Sequence, residues 1–360
     1  MSIHFHPIRI KEICRETPDC VSILFDIPEE LINQFQFIQG QSLTIRHIHN
    51  KEELRRTYSL CSSPLDNEWR IAVKKVEGGR FSTLANEQLK AGDMLDVMPP
   101  VGKFNTPLHI EQKKHYVAFA AGSGITPILS LLKTTLATEP GSSFTLVFGN
   151  RSRNSIIFFE ELEALKNIYM DRFNLIHILS RERTDTTLNF GRITPDKLRE
   201  LSLLIQYKKA DEFFICGPEA MLFSVKDFLE EQGIEKKKIH FELFTTSGQV
   251  KKSGARSDEP GVINEPQSSI TIKLDGRSFD FYLPLNSNKN ILDAALQRGA
   301  DLPYACKGGV CCTCKARLLE GRVTMDVHWG LEQEEIEQGY ILTCQSHPAT
   351  EKVVVDFDIK

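Results

Sequence analysis

Four cysteines in the last third of the chain have a spacing that suits an iron–sulfur cluster. They are Cys306, Cys311, Cys314 and Cys344. The pattern C-x4-C-x2-C with a distant fourth cysteine can give each iron of a [2Fe–2S] cluster two soft thiolate ligands. Gly308 and Gly309 let the segment curl, with backbone N–H groups free to turn toward the cluster sulfurs. The spacing therefore predicts a [2Fe–2S] site with these four ligands.

Two other chemistries also use clustered cysteines. A structural zinc site normally takes two C-x2-C pairs or mixtures of cysteine and histidine. A disulfide would leave the four-cysteine spacing unexplained. Cys312, which lies between two predicted ligands, is not expected to bind iron and is a candidate for oxidation. The spacing favours iron–sulfur, and a one-electron carrier in a long chain needs an electron source.

The first hundred residues predict antiparallel β-structure. Short alternating runs at residues 21–27, 42–45, 69–76 and 94–97 are separated by Pro, Gly, Asn and Asp. Regularly spaced short strands with turn residues between them are typical of a barrel or sandwich.

Two short sequence motifs within this region suit a flavin cofactor. They are Arg56-Thr57-Tyr58-Ser59 and Gly79-Arg80-Phe81-Ser82. Together they resemble the FAD-binding barrel of the ferredoxin–NADP reductase superfamily. The resemblance implies that Arg56 holds the FAD diphosphate, that Tyr58 packs along the flavin, and that Ser59 reaches the reactive ring nitrogen. Backbone N–H groups of residues 79–82 would cap the phosphates, and Ser59 is a predicted catalytic residue.

After residue 108 the pattern changes to alternating apolar and helical segments. Predicted strands at 115–121, 144–148, 173–179 and 212–216 alternate with predicted helices at 128–136, 158–166, 194–204 and 219–232. This alternation predicts a doubly wound α/β domain with a mostly parallel sheet.

Two turns at the carboxyl ends of these strands suit a pyridine nucleotide. They are Gly122-Ser123-Gly124-Ile125-Thr126-Pro127 and Cys216-Gly217-Pro218. The glycines of the first turn permit close approach to a pyrophosphate at a helix N-terminus, although many such turns use glycine only for packing. In the superfamily, the Cys-Gly-Pro string lies beside the nicotinamide. Cys216 is therefore the second predicted catalytic residue, and a buried core thiol is the alternative.

The nucleotide preference depends on the residues after the second and third predicted strands. An NAD site of the usual kind needs a carboxylate about 20 residues after the glycines, and Arg151 stands in the corresponding segment. Ser180 and Arg181 resemble the 2′-phosphate site of plant-type reductases, because an arginine beside a hydroxyl suits a phosphate dianion. We expect NADPH, with NADH also possible. A solvated charged loop is the alternative for these residues.

The remaining chain predicts a linker and a third domain. Residues 245–268 are rich in Ser, Gly, Pro and charge. A hairpin around Asp275-Gly276, a helix at 291–298 and strands at 316–319, 340–344 and 353–357 come after it. With the cysteine segment, they resemble a plant-type β-grasp ferredoxin. The predicted domains are 1–108 (FAD), 109–244 (NAD(P)H), 245–268 (linker) and 269–360 ([2Fe–2S]).

Composition excludes several other classes. The net charge of −4 gives no sign of the basic surface that binds nucleic acid. No apolar run reaches the roughly 18 residues of a membrane span, and the first residues lack the apolar core of a signal peptide. Nine cysteines without such a signal suit a reducing cytoplasm. The acidic residues 332–337 suit either a solvated helix face or a surface that steers a basic partner.

Nearly the whole chain resembles the reductase components of oxygenase systems with a C-terminal ferredoxin domain, and most of all the reductase subunits of phenylacetyl-CoA epoxidases in phenylacetate catabolism. The last resemblance rests on residues 304–311, 314–317, 321–325, 331–332 and 339–345. It implies electron transfer from NADPH through FAD and [2Fe–2S] to a di-iron oxygenase. The alternatives are another acceptor (a fatty-acyl desaturase, a phenol or toluene oxygenase, or a demethylase) and a stand-alone electron carrier or redox sensor.

Overall fold

The computed structural model describes residues 4–49, 52–244 and 266–359. The described chain divides into two compact units, of which one is Phe5–Phe244 and the other contains residues 266–359. Most of the predicted linker, residues 245–268, lies outside the described residues. Its last two residues belong to a strand that begins at Gln267. Among the described helices, none combines the length and apolar character needed to cross a membrane.

The first lobe of the Phe5–Phe244 unit is an antiparallel six-stranded sheet. Its strands are β1 (His6–Thr17), β2 (Cys20–Asp26), β3 (Ser42–His49), β4 (Glu52–Ser59), β5 (Trp69–Lys74) and β6 (Met94–Val97), and its helices are α1 (Ile32–Phe35) and α2 (Arg80–Glu87). The strand order is β4-β3-β6-β1-β2-β5. A bridge between Leu60, just after β4, and Ile71 of β5 brings the two edge strands together, as in a barrel. The predicted antiparallel fold is confirmed.

Helix α2 was not predicted, because the glycines before it indicated only a turn. Phe81 and Ala85 are buried in the barrel core, so the helix is stabilised chiefly by packing. Asn86 donates from Nδ2 to the carbonyl of Val73 at 2.9 Å, which attaches the end of the helix to β5.

The second lobe is a parallel five-stranded α/β sheet. Its strands are β7 (His115–Ala121), β8 (Ser143–Asn150), β9 (Phe173–Leu179), β10 (Glu212–Gly217) and β11 (Ile239–Leu243), and its helices are α3 (Ile125–Thr138), α4 (Phe159–Ile168), α5 (Pro195–Leu201) and α6 (Glu219–Glu231). The order β11-β10-β7-β8-β9 confirms the doubly wound prediction. Strand β11 is the one strand of this sheet that the sequence patterns did not predict.

One cluster of buried side chains includes residues of both lobes, and an ion pair also joins the lobes. Phe104 of the first lobe meets Phe214 of β10 edge to face, with ring centroids 5.4 Å apart. Lys133 Nζ of α3 lies 2.7 Å from Asp66 Oδ2 in the first lobe and 2.8 Å from Glu161 Oε1 in α4. Aromatic packing and an ion pair therefore both hold the two lobes together.

The C-terminal unit is a mixed sheet with two short helices. Its strands are β12 (Gln267–Leu274), β13 (Arg277–Pro284), β14 (Lys315–Glu320), β15 (Val323–Met325), β16 (Tyr340–Leu342), β17 (Ser346–Pro348) and β18 (Lys352–Asp356), with α7 (Ile291–Leu296) and α8 (Gln333–Glu337). The main sheet has the order β13-β12-β18-β14-β16, with β12 and β18 parallel. Asp275 and Gly276 both have positive φ, as the predicted two-residue hairpin requires. These features match the predicted β-grasp domain.

The acidic segment 332–337 consists of α8 and its N-cap residue Glu332. Glu335 lies 3.0 Å from Lys315 Nζ and accepts a hydrogen bond from the backbone N–H of Glu332. Glu334 and Glu337 are exposed. This arrangement agrees with a solvated helix face.

Candidate functional site

The four predicted cluster ligands form two pairs. The Cys306 thiol interacts with the Cys311 thiol, and Cys314 interacts with Cys344. Cys306 Sγ also accepts from the backbone N–H groups of Gly308 at 3.3 Å and Cys311 at 3.5 Å. The hydrogen bond from the Cys311 thiol, helped by these N–H groups, lowers the pKa of Cys306 to about 5. The site therefore already stabilises a thiolate, which is the form that binds iron.

Two pairs of thiols match the ligand arrangement of a two-iron cluster. A structural zinc site would need four ligands around one point, whereas a [2Fe–2S] cluster needs two sulfurs at each iron. The buried Thr313 hydroxyl interacts with the Cys311 thiol, so it lies where it can donate to a ligand sulfur.

Cys312 contacts a different part of the domain. Its Sγ lies 2.6 Å from the carbonyl oxygen of Gly330, and its backbone is in the left-handed region, with φ of 56°. The thiol is thus turned to the segment before α8. That it does not bind iron stays a prediction.

The two sequence motifs predicted to bind the flavin lie next to each other in the structure. The ring of Tyr58, on β4, is 5.7 Å from the ring of Phe81, in the first turn of α2. Ser82 Oγ accepts from the N–H of Val76 at 3.1 Å and donates to the carbonyl of Gly79 at 3.2 Å. A Cβ on Gly79 would lie 2.4 Å from Ser82 Oγ, so glycine is needed there.

This arrangement gives a diphosphate two kinds of partner. The N-terminus of α2 presents the first backbone N–H groups of the helix and the positive end of the helix dipole. Arg56 is half-buried on the neighbouring strand and donates from Nη1 to the carbonyl of Arg55 at 2.7 Å. That Arg56 and this helix end hold the FAD diphosphate stays a prediction.

Ser59 has a partner that the sequence patterns did not reveal. Its Oγ donates to Glu242 Oε2 at 2.7 Å, and Glu242 lies on β11, in the other lobe. In the sheet register Glu242 is paired with Cys216 of β10. The two predicted catalytic residues thus flank one carboxyl group. The short alternation of β11, Ile-His-Phe-Glu-Leu, is a weak signal for a strand, but it does not point to the contact with Ser59.

The protonation of Glu242 is set by its burial. Burial raises the pKa of the carboxyl group to about 7, although the hydrogen bond from Ser59 opposes the rise. The Cys216 thiol is also fully buried, and burial raises its pKa well above its ordinary value. Near neutral pH the site therefore holds a neutral thiol and a carboxyl group that can take up or release a proton.

The first glycine turn packs directly against Cys216. A Cβ on Gly124 would lie 2.1 Å from the carbonyl oxygen of Cys216 and 2.8 Å from the nitrogen of Gly217. Gly124 is therefore required by packing, and its contact with a pyrophosphate stays a prediction. Gly122 has a φ of 54°, and no atom lies within 4 Å of its Cβ position, which leaves room for a ligand.

Thr126 and Pro127 form the first turn of α3 and are buried. The Thr126 hydroxyl donates to the carbonyl of Ser123 at 3.0 Å, inside the glycine turn. They shape the start of the helix, so a nucleotide would meet its backbone N–H groups. Pro218 is exposed just before α6.

The predicted 2′-phosphate residues are neighbours at the sheet edge. The N–H of Arg181 donates to the carbonyl of Arg151 at 2.8 Å, at the ends of β9 and β8. Both arginine side chains are exposed. The Ser180 hydroxyl donates to the carbonyl of Asn150 at 3.2 Å. Two exposed arginines and a serine are thus neighbours at this edge, and that they bind a phosphate stays a prediction.

Three family models match the chain in the expected order. The oxidoreductase FAD-binding domain matches residues 7–106, the oxidoreductase NAD-binding domain residues 119–227, and the 2Fe-2S iron-sulfur cluster binding domain residues 273–349. FAD, a pyridine nucleotide and a [2Fe–2S] cluster are therefore its cofactors, and the protein is an NAD(P)H-dependent oxidoreductase.

Curated relatives align over almost the full length. The chain is 44% identical over 357 residues to a subunit of the 1,2-phenylacetyl-CoA epoxidase of Escherichia coli (strain K12), an alignment that covers 99% of this chain and 98% of the relative. It is 33% identical over 353 residues to the ferredoxin reductase component of 3-ketosteroid-9-alpha-monooxygenase of Rhodococcus rhodochrous, which covers 97% and 96%.

A solved structure has the same layout. Phthalate dioxygenase reductase, described as a modular structure for electron transfer from pyridine nucleotides to [2Fe–2S], matches with a TM-score of 0.58 and 22% identity over 98% of each chain. This likeness supports the fold. The full-length relatives and the three matched domains show that the chain belongs to the oxygenase reductase components of the ferredoxin–NADP reductase superfamily that carry a C-terminal [2Fe–2S] ferredoxin domain.

Proposed function

We propose that this reductase passes electrons from NADPH through FAD and the [2Fe–2S] cluster to a di-iron oxygenase, and that this oxygenase is a phenylacetyl-CoA epoxidase of phenylacetate catabolism. The observation that carries the choice of acceptor is the 44% identity to the epoxidase component over nearly the whole of both chains. We place the reaction in the cytoplasm, where reduced thiols persist; none of the nine cysteines forms a disulfide.

The residues of the Phe5–Phe244 unit bind and orient the reactants. When bound, the flavin accepts a hydride and releases electrons singly to the one-electron cluster. Arg56 and the N-terminus of α2 hold the diphosphate, and Tyr58 orients the ring system. The Ser59 hydroxyl and Glu242 Oε2 hold a proton between them at 2.7 Å. Buried Cys216 occupies the strand end and excludes water from this place.

In the C-terminal unit, we propose that Cys306, Cys311, Cys314 and Cys344 bind the cluster. The pairing of Cys306 with Cys311 and of Cys314 with Cys344 supports two ligands at each iron. Backbone N–H groups around Cys306 lower the cost of holding negative charge on the sulfurs.

The proposed preference for NADPH rests on Ser180, Arg181 and Arg151. Arg181→Ala should weaken NADPH binding by about 10- to 100-fold, since a charge-assisted hydrogen bond contributes about 1.5–3 kcal/mol. NADH binding should change less than about threefold. Arg199→Ala, which removes an exposed arginine paired with Asp196 on α5, is the matched control. Equal losses for the two nucleotides would refute the preference.

The acceptor is tested by reconstitution. The purified reductase is mixed with the oxygenase subunits of the Escherichia coli epoxidase, and NADPH oxidation and oxygenated product are measured with phenylacetyl-CoA present or absent. The proposal expects product formation that depends on the substrate and on the reductase. A parallel reaction with a phenol hydroxylase oxygenase should give little product. Faster turnover with the second oxygenase would reassign the acceptor.

A further inference from the structure

Asn150 is a buried amide that the protein itself leaves unpaired. It is the last residue of β8, and it is only 8% exposed. Neither Oδ1 nor Nδ2 has a hydrogen-bond partner among the described residues. A buried amide with both ends unpaired is unfavourable for folding, so such a group calls for a function outside packing.

Another buried asparagine shows the contrast. Asn86 in α2 donates from Nδ2 to the carbonyls of Val73 and Ser82, each at 2.9 Å. Its Oδ1 accepts from Arg15 at 2.9 Å. A structural asparagine in this fold is thus fully paired, which Asn150 is not.

The position of Asn150 identifies what could pair with it. It lies one residue beyond the Ala121–Gly149 pair of the β7–β8 register, which places it beside Gly122. Its backbone carbonyl accepts from the N–H of Ser180 at 2.9 Å. Asn150 therefore lies between the glycine turn and the residues proposed for the 2′-phosphate. At this edge of a doubly wound sheet, ligands bind at the carboxyl ends of the strands.

We propose that Asn150 binds the adenosine ribose of the pyridine nucleotide. Oδ1 accepts from the ribose 3′-hydroxyl, and Nδ2 donates to the oxygen on the ribose 2′-carbon. The amide offers one acceptor and one donor, and this part of the nucleotide supplies the complement of each. The inference rests on the proposed nucleotide site. It differs from the role of Arg181 because NADH and NADPH both carry these ribose oxygens.

The test uses the full FAD- and cluster-loaded chain and the variants Asn150→Leu and Asn150→Ala. Dissociation constants for NADP⁺, NAD⁺ and 2′,5′-ADP are measured by calorimetry, and the thermal midpoint is measured without nucleotide. We expect each variant to weaken all three ligands by about tenfold or more, because the ribose oxygens lose their partner. The thermal midpoint of Asn150→Leu should stay the same or rise, since an unpaired buried amide is removed.

Thr145→Val is the matched control. Thr145 is a buried polar residue on the same strand whose hydroxyl bonds to the His115 ring at 3.0 Å. This variant should lower the thermal midpoint and leave the three dissociation constants unchanged. The proposal is overturned if the Asn150 variants change binding by less than about threefold, or if they lower the thermal midpoint as Thr145→Val does. If Arg181→Ala instead weakens both dinucleotides equally, the NADPH preference fails and the role of Asn150 stands.

Discussion

The hydroxyl of Ser59 lies 2.7 Å from the carboxyl group of Glu242, although the two residues belong to different lobes of the reductase. Because Glu242 is also the register partner of Cys216, one carboxyl group links Ser59, of the proposed flavin site, to the strand that ends at the proposed nicotinamide site. Its pKa of about 7 allows it to give or take a proton near neutral pH.

The buried carboxyl group should make stability depend on pH. The pKa of Glu242 is about 7 in the folded protein against an ordinary value of 4.5, so the folded state binds the proton more tightly. The stabilising contribution of this proton is complete below pH 4.5 and is lost as the pH rises through 7. The stability of Glu242→Gln relative to the natural protein should therefore increase by about 3 kcal/mol from pH 4 to pH 8, as measured by urea unfolding.

Glu235→Gln is the control for this charge change. Glu235 is exposed and its pKa is lowered by a hydrogen bond from Lys237, so any pH effect there would have the opposite sign. If the stability of Glu242→Gln relative to the natural protein does not change between pH 4 and pH 8, the pKa of the buried Glu242 carboxyl group is not raised.

The cluster and the flavin should be separable by single substitutions. Serine at Cys306, Cys311, Cys314 or Cys344 replaces a soft ligand with a hard one, so each variant should lose most of its iron. Reduction of ferricyanide by NAD(P)H should persist because it needs only the Phe5–Phe244 unit. Iron analysis and visible spectra check the first result and a steady-state assay checks the second.

Cys312→Ser is the matched control for the ligand variants. Its thiol is turned to Gly330, so both irons should remain bound. Loss of iron from this variant, or retention of both irons in any of the other four, would overturn the ligand assignment.

Gly124→Ala should disturb the junction of the glycine turn and Cys216. A Cβ at 2.1 Å from the Cys216 carbonyl oxygen forces the backbone to move, and overpacking of this kind costs about 1–3 kcal/mol. We expect a lower thermal midpoint and a slower flavin reduction by NAD(P)H in stopped flow. Gly149→Ala has its nearest contact at 3.3 Å, to the flexible end of Ile193, and should be milder in both measurements. Equal effects would mean that the close approach is unimportant.

The ion pairs of Lys133 should stabilise the contact between the lobes. Lys133→Met leaves Asp66 and Glu161 without their cation, but the groups are partly exposed and water screens them. The loss in unfolding free energy should be about 1 kcal/mol and should shrink in high salt. Lys226→Met, which removes a pair with Glu230 within one helix, should cost about 0.3–0.5 kcal/mol. A larger loss at Lys226 would contradict the importance of the contact between lobes.

Sequence patterns identified the strands and turns whose conformation depends on their own residues. The apolar runs of β7 and β9 agree with the structure to the residue, because buried parallel strands are nearly continuous in apolar residues. The Asp275-Gly276 hairpin was equally clear, since both residues must adopt positive φ.

The parts that were missed depend on tertiary contacts. Strand β11 carries His240 and Glu242 among its apolar residues, so its composition hid a sheet strand. The partnership of Ser59 with Glu242 joins residues 183 positions apart, and no local pattern predicts such a pair. The burial that raises the pKa of Glu242 likewise exists only once the two lobes pack.

The cluster of buried side chains that includes residues of both lobes limits how hybrid reductases can be built. Cys61 and Phe104 belong to the same cluster of buried side chains as Phe148 and Phe214, so a crossover near residue 108 would join surfaces that evolved with other partners. Residues 5–244 should be exchanged between relatives as a single cassette. Grafting only the nucleotide half onto a foreign flavin half would expose mismatched apolar faces and yield insoluble chimeras.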